Sequence, residues 1–360
     1  MSPDKYTMLL TGANGGLGCS IVGRLLERSN LARDIYGLYT VRKPACAPHI
    51  NNVLKSADKL QHRYEISSLE LESLASVRKF AGNINERVEN GSLPPIRALI
   101  LNAGWQEQTT QSFTLDGFDM SFQVNYLSHF LLVLLLLKSM DMDTGRIVVL
   151  SSWSHDTTHP NNKLGSSANM YAPKEFEQIF SNRKNIPVDI DSLAKGRWSS
   201  KDEHPGDANA GIRRYGAAKL CEVMMFRELS RRLATDARLS GISVLAIDPA
   251  AMPSDLTRRG GIFMRMLLGK AILPTLALIA SAWNPNGMFR TTWKSAGDVM
   301  LAAFDTELLG YHPNGTYLNG SEIADVGPEA KDVYKSNQLW YESLKYAQID
   351  NGDTLLMDWQ

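Results

Sequence analysis

The 360-residue chain carries 38 basic and 38 acidic residues, and 44% of it is apolar. Zero net charge excludes a global basic field for nucleic acid or anionic lipid, and the apolar share excludes a disordered chain. Three separated cysteines, Cys19, Cys46 and Cys221, exclude a disulfide framework or a zinc cluster and fit a reducing, cytoplasmic setting.

The N-terminal 150 residues read as alternating strand and helix. Strands are expected at Tyr6–Leu10, Ile35–Val41, Ala98–Leu101 and Ile147–Leu150, with helical patterns such as Leu17–Glu27 between them. No signal peptide is expected before the first strand, and the sequons at Asn90, Asn314 and Asn319 read as Asn-Gly turns. Phe130–Leu137 falls far short of the roughly 20 residues a membrane span needs and reads as a buried helix. After Ser152 the pattern lapses: 154–210 is rich in Asn, Ser, Lys, Asp, Pro and His. A helix resumes near Arg213, and a strand follows at Ile242–Ile247. The apolar stretch 262–283 is broken by Arg265, Lys270 and Pro274; a helix over a substrate pocket and one on a membrane surface both fit it. A helix near Ser295–Phe304, a strand at Thr316–Leu318 and a terminal helix from about Pro328 complete the chain. The alternation implies an α/β fold, a doubly wound parallel sheet with helices on both faces. No repeat or linker divides it, so a single domain over 1–360 is expected.

Five segments carry chemistry. Thr11-Gly12-Ala13-Asn14-Gly15-Gly16-Leu17-Gly18 follows the first strand and opens a helix. Such glycines let the backbone turn sharply against a pyrophosphate, and the helix N-terminus offers free N–H groups to that anion. Asn102-Ala103-Gly104 follows the strand Ala98–Leu101 at the same sheet edge. Asn125 lies just inside an apolar helical run. Ser151-Ser152 ends the strand Ile147–Leu150, where open parallel sheets bind ligands. Tyr215 and Lys219 stand four apart on a helix and share a face, so the ammonium draws the phenol pKa down. Singly, each has a plainer reading as a turn, a cap or a solvated pair. Tyr171 and Lys174, with Pro173 between them in loop-like sequence, are rejected as an alternative pair.

Together, over roughly residues 5–256, these segments resemble the short-chain dehydrogenase/reductase family, in particular its retinol-dehydrogenase- and carbonyl-reductase-like branches. The resemblance includes the TGxxxGxG turn, Asn-Ala-Gly, Asp116-Gly117-Phe118 ahead of Asn125, the strand-end serines and YxxxK. It implies a Rossmann-type fold and a catalytic tetrad of Asn125, Ser152, Tyr215 and Lys219. In that tetrad Tyr215 gives a proton to a carbonyl oxygen held by Ser152, Lys219 bonds the nicotinamide ribose, and Asn125 holds a relay water. It places the cofactor against Gly12, Asn14, Gly16, Leu17, Gly18, Arg42, Asn102, Ala103, Gly104, Tyr215, Lys219, Pro249, Ala250, Met252 and Ser254. At the end of the second strand no acidic residue is present to bond a ribose 2′-OH, and Arg42 offers a fork for a 2′-phosphate, so NADP is the expected cofactor. Two positions depart from the family pattern: Ala250 stands where glycine is usual, and Ser254 where threonine is frequent.

The long stretch between Ser152 and Tyr215 is an insertion before the tyrosine helix, and 154–210 is expected to form part of the substrate pocket. Trp153, His155, Tyr171, Phe176 and Trp198 are its candidate substrate contacts, with His155 read as a pocket-lining or surface residue. Residues 257–294 are expected to add a substrate-binding helical segment. The expected function is NADPH-dependent reduction of a ketone or aldehyde, or the reverse oxidation, on a bulky, largely apolar small molecule. A non-redox isomerase, dehydratase or cyclase on the same fold and a cofactor sensor are the alternatives; the intact tetrad favours redox chemistry. Neither a metal, a nucleic-acid partner nor a transmembrane span is expected, and a monomer is expected over the homodimer formed by relatives through the asparagine and tyrosine helices.

Overall fold

Short apolar runs of the chain form the middle of one sheet. The computed structural model describes residues 4–163, 170–180, 189–207, 209–252 and 272–360, without the side chains of 272–276. The first half runs β1 (Tyr6–Leu10), α1 (Gly16–Glu27), α2 (Ser29–Asp34), β2 (Ile35–Val41), α3 (Pro48–Val53), β3 (Tyr64–Ser68), α4 (Leu74–Glu89) and β4 (Ile96–Leu101). A π-helical turn, Phe122–Leu127, leads into α5 (Ser128–Leu136) and β5 (Arg146–Leu150). There follow α6 (Ile190–Ala194), α7 (Ala210–Thr235), β6 (Ser243–Asp248), α8 (Ile272–Trp283) and α9 (Thr292–Phe304). β7 (Thr316–Asn319), β8 (Glu322–Ile323) and α10 (Val333–Tyr346) close the chain.

The strand order is β3-β2-β1-β4-β5-β6-β7-β8, parallel except for the final β7–β8 pair. β4, β5 and β6 are buried along their whole length, as parallel strands covered on both faces must be. Their side chains alternate between two cores: Ile147 and Val149 join one, Val148 and Leu150 the other. The first core packs α4, α5, α7 and α10; the second packs α1 and α9. α5 is buried on every side, which explains the unbroken apolar run Phe130–Leu136. Phe122–Ser139 is long and apolar enough to cross a membrane, but 94% of it is buried inside the fold, so it is a core element.

Order reverses between β1 and β4, which continue in opposite directions across the sheet, and this switch point opens a crevice at the strand C-termini. Register aligns Leu10 with Tyr39 and Ile100, and Leu150 with Ile247, so the segments after β1, β2, β4, β5 and β6 emerge on one edge. α10 lies on the face of α5 and α7: the Phe130 and Trp340 rings meet edge-on at 4.9 Å, and the Tyr126 hydroxyl bonds Ser343 Oγ at 2.7 Å.

Candidate active site

Thr11 joins the turn after β1 to the turn after β4. Its Oγ1 accepts N–H bonds from Asn102 and Ala103, both at 2.9 Å. Asn102 Nδ2 returns a bond to the Thr11 carbonyl at 2.8 Å. Oγ1 also lies 3.1 Å from His129 Nε2, and His129 Nδ1 lies 2.8 Å from the Asn125 carbonyl. A carbonyl can only accept, so Nδ1 carries the proton and Nε2 accepts from the threonine hydroxyl. Burial holds His129 down to about 4, which keeps it neutral.

Gly12 adopts a φ of +68°, and a Cβ there would stand 2.9 Å from Ala103 Cα. At Gly18 a Cβ would meet the Gly12 carbonyl at 2.5 Å. Only glycine fits either position. Gly15 caps α1 without a side chain, so the first N–H groups of the helix, those of Gly16, Leu17 and Gly18, meet no capping side chain at the end that follows β1. That geometry suits a pyrophosphate. Asn14 Oδ1 accepts from His49 N and Ile50 N, both at 3.0 Å, and so ties the turn to α3. Arg42 is exposed just past β2, its guanidinium 6.0 Å from the Trp105 ring.

Asn125 is fully buried in the π-helical turn. Its Nδ2 donates to the carbonyls of Trp105 (2.9 Å) and Ser121 (2.8 Å), and its Oδ1 accepts from Trp105 N at 2.8 Å. Both amide hydrogens are thus spent on backbone, and a water would reach this side chain through Oδ1. Gly104 joins the Asn102–Ala103 turn to that Trp105 anchor.

Ser152 caps the turn Trp153–His155 and accepts from Ser154 N at 3.2 Å and Ser154 Oγ at 3.0 Å. Its hydroxyl acts on the Tyr215 phenol and lowers its pKa. Ser151 faces away: it is buried and lies 3.4 Å from the Tyr317 hydroxyl. Tyr215 is 8% exposed, and its ring centroid lies 5.5 Å from Lys219 Nζ. Burial raises the Tyr215 phenol, Lys219 pulls it back, and Glu222 and Asp248 push it up again, leaving it above its ordinary value. Lys219 Nζ donates to the Leu150 carbonyl at 2.8 Å and to Glu222 Oε2 at 2.8 Å. The sequence reading missed Glu222, although it extends the stripe Tyr215, Lys219 by one further helical step.

After β6, Asp248 Oδ1 accepts from Ala250 N at 2.8 Å and the Pro249 carbonyl accepts from Ser295 Oγ at 2.7 Å. Ala250 holds a φ of +64°, the left-handed region that explains why glycine is usual there. Met252 is half-buried beside it; Ser254 lies outside the described residues.

The insertion corrects two expectations. His155 is neither pocket-lining nor superficial: it is 3% exposed, with Nδ1 donating to the Ser152 carbonyl (2.6 Å) and Nε2 accepting from Gly327 N (2.9 Å). Tyr171 and Phe176 are core residues and not substrate contacts. Tyr171 donates to the Ser154 carbonyl at 2.8 Å, in a space that a Cβ on Gly216 would fill. Phe176 packs edge-on against Trp198 at 5.4 Å and under the Arg213 guanidinium at 3.8 Å. Arg213 bonds Ser199 Oγ and the Met170 carbonyl, and Arg214 bonds the Ser199 and Thr110 carbonyls, so two arginines before Tyr215 staple the insertion to α7. Trp153 remains partly exposed next to Ser152. Of the segment 257–294, residues 257–271 lie outside the described residues, while α8 exposes Leu278, Ile279 and Trp283.

The short chain dehydrogenase family model matches residues 6–168. Short-chain dehydrogenase iccH of Talaromyces variabilis is 59% identical over 99% of this chain and 100% of its own. Retinol dehydrogenase 13 of Homo sapiens is 28% identical over 97% of this chain and 86% of its own. Among solved structures, landomycin C-6 ketoreductase LanV, with bound NADP and rabelomycin, covers 88% of this chain and 96% of its own at a TM-score of 0.53 and 18% identity. Similarity at 59% identity along the whole of a short-chain dehydrogenase, on a sheet and site of this geometry, places the chain in the short-chain dehydrogenase family of oxidoreductases.

Proposed function

We propose that the protein is an NADPH-dependent reductase of a ketone or aldehyde on a bulky, largely apolar small molecule. The observation that carries this reading is the buried Tyr215 phenol, influenced by Ser152 and backed by Lys219, at the sheet edge that also bears the glycine turn. The nicotinamide cofactor supplies the hydride. Gly12, Gly16, Leu17 and Gly18 hold its pyrophosphate with backbone N–H groups, and Arg42 takes a 2′-phosphate. Ser152 holds the substrate carbonyl oxygen, and Tyr215 delivers the proton to it as hydride arrives. Lys219 steadies the resulting negative charge on the phenol oxygen. Trp153 is the aromatic residue we assign to the substrate wall. A ketoreductase with bound NADP among the structural neighbours supports the choice of reaction.

The chain acts as a monomer in this reading, because α10 occupies the outer face of α5 and α7. Incubation with NADPH and a panel of apolar ketones and aldehydes is expected to oxidise the cofactor in step with alcohol formation. Substrate conversion without net cofactor oxidation would replace this reading with the non-redox one.

A further inference from the structure

Glu222 is a buried carboxyl group that the proton transfer from Tyr215 does not use; burial pushes it up to about 7 against the pull of Lys219, so it is charged above neutral pH. It sits on α7 at the third position of the stripe Tyr215, Lys219, Glu222, and its side chain is 2% exposed. Both of its oxygens face one partner: Lys219 Nζ lies 2.8 Å from Oε2 and 3.1 Å from Oε1. The remaining fixed bond of that ammonium goes to the Leu150 carbonyl, at the end of the strand leading to Ser152. The charged and titratable groups around this cluster are few. Tyr215 and Cys221 lie on α7, Asp248 approaches from β6 and His129 from α5, and Glu329 acts on Cys221 from the turn Pro328–Lys331. His129 is neutral, so among the described residues the groups that act on Lys219 are Glu222, Tyr215 and Asp248.

An ammonium taken out of water without a counter-ion sheds its proton rather than remain charged. Burial works to lower the Lys219 ammonium; Glu222 and then Tyr215 outweigh it, and the ammonium is held above its ordinary value. We propose that Glu222 is a positioning residue, the counter-ion that keeps Lys219 charged and clamped between the Leu150 carbonyl and the Tyr215 phenol. The proposal rests on the reductase reading for its kinetic arm only. Without the carboxylate, Lys219 retains one backbone acceptor, and burial then drives its proton off at a lower pH. The support it gives to Tyr215 and to the cofactor ribose is lost with that proton.

The test is the pH profile of E222Q. Reduction by the wild type should hold its kcat/KM well into the alkaline range. In E222Q the alkaline limb should move down by about one unit or more, the scale of a lost charge partner. NADPH affinity, read by nicotinamide fluorescence and independent of any carbonyl substrate, should weaken about tenfold between neutral and alkaline pH in E222Q and little in the wild type. E222D keeps the charge and should restore most of both profiles. E222M, apolar and of similar size, repeats the measurement where the amide disturbs folding. If the variants' limb and affinity profile superimpose on the wild type's, Glu222 is merely a packed residue and the proposal is wrong. Failure of the wild type to turn over any carbonyl would count against the reductase reading alone, since the fluorescence arm still decides the role of Glu222.

Discussion

Two buried polar clusters meet at the active-site edge, and they are built on opposite principles. The cluster around Thr11 joins the glycine turn, Asn102, Ala103, His129 and Asn125 through neutral hydrogen bonds alone. The cluster around Tyr215 holds the ammonium of Lys219 and the carboxylates of Glu222 and Asp248 within the same protein interior. A neutral network costs little to bury once every donor has its acceptor, and it fixes shape. A charged one is costly to bury unless the charges balance, and that balance sets how tightly a proton is held. The cofactor side therefore has to be rigid, whereas the proton side has to be tuned.

The sharpest break on the tuned side is Tyr215→Phe. The ring's packing survives while the proton donor is removed, so turnover should fall by ~10²–10⁴ with NADPH affinity nearly unchanged. Near-normal turnover of the folded variant would remove Tyr215 from the mechanism.

On the rigid side, the corresponding break comes from acid. His129 titrates at about 4 in the folded chain against 6.5 as its ordinary value, because burial disfavours its charged form. The unfolded chain therefore takes up this proton first. The stability His129 contributes is present above about pH 6.5 and is lost as pH falls towards 4, a drop of roughly 3 kcal/mol by pH 4. Denaturant melts of wild type and His129→Gln should converge over that window, with the variant the weaker protein at pH 7. Parallel pH dependences in the two proteins would mean that His129 is not the group that titrates.

Legibility in the sequence followed the same division. The central strands were visible as apolar runs, and α1, α7 and α9 as periodic segments, because burial on both faces leaves that signature. β3 was not: Tyr64–Ser68 is an edge strand, half-buried or exposed, with too little apolar contrast to register. β8 is two residues long. Tyr215, Lys219, Ser152 and Asn125 were legible as motifs at expected elements, and the structure brings Ser152, Tyr215 and Lys219 together. What escaped were partners set by folding, such as Glu222 behind Lys219 and His129 between Thr11 and Asn125. His155, Tyr171 and Phe176 misled because aromatic residues in a polar segment resemble a pocket lining, whereas Gly216, Gly327 and Arg213 give them buried seats.

A smaller effect is expected at the rim of the rigid side. Arg42 is exposed, so its contribution is a charge-assisted contact screened by water. Arg42→Ala should raise the KM for NADPH about tenfold and leave that for NADH almost unmoved, since only the former carries the 2′-phosphate. Equal kcat/KM for NADPH and NADH in the wild type would show that Arg42 does not select the cofactor.

The smallest effect lies beside the tuned cluster, in the segment after β6, at Ala250. Its φ of +64° costs a side-chain-bearing residue about 1–2 kcal/mol, and the Asp248 Oδ1 bond to Ala250 N helps to hold it there. Glycine removes that cost but gives the unfolded chain more freedom, worth about 0.4–1 kcal/mol in the opposite direction. The difference favours the variant, so Ala250→Gly should gain about 0.5 kcal/mol, raising Tm by only about a degree or two. The prediction separates two roles for the alanine. If the methyl serves only as a tolerated strain, the variant is slightly more stable and its KM for NADPH holds or falls as the segment relaxes. If the methyl packs to keep Asp248 and the Pro249 carbonyl in place against Ser295, Ala250→Gly loses stability instead. A melt showing a loss of more than about 1 kcal/mol would decide for packing and against strain.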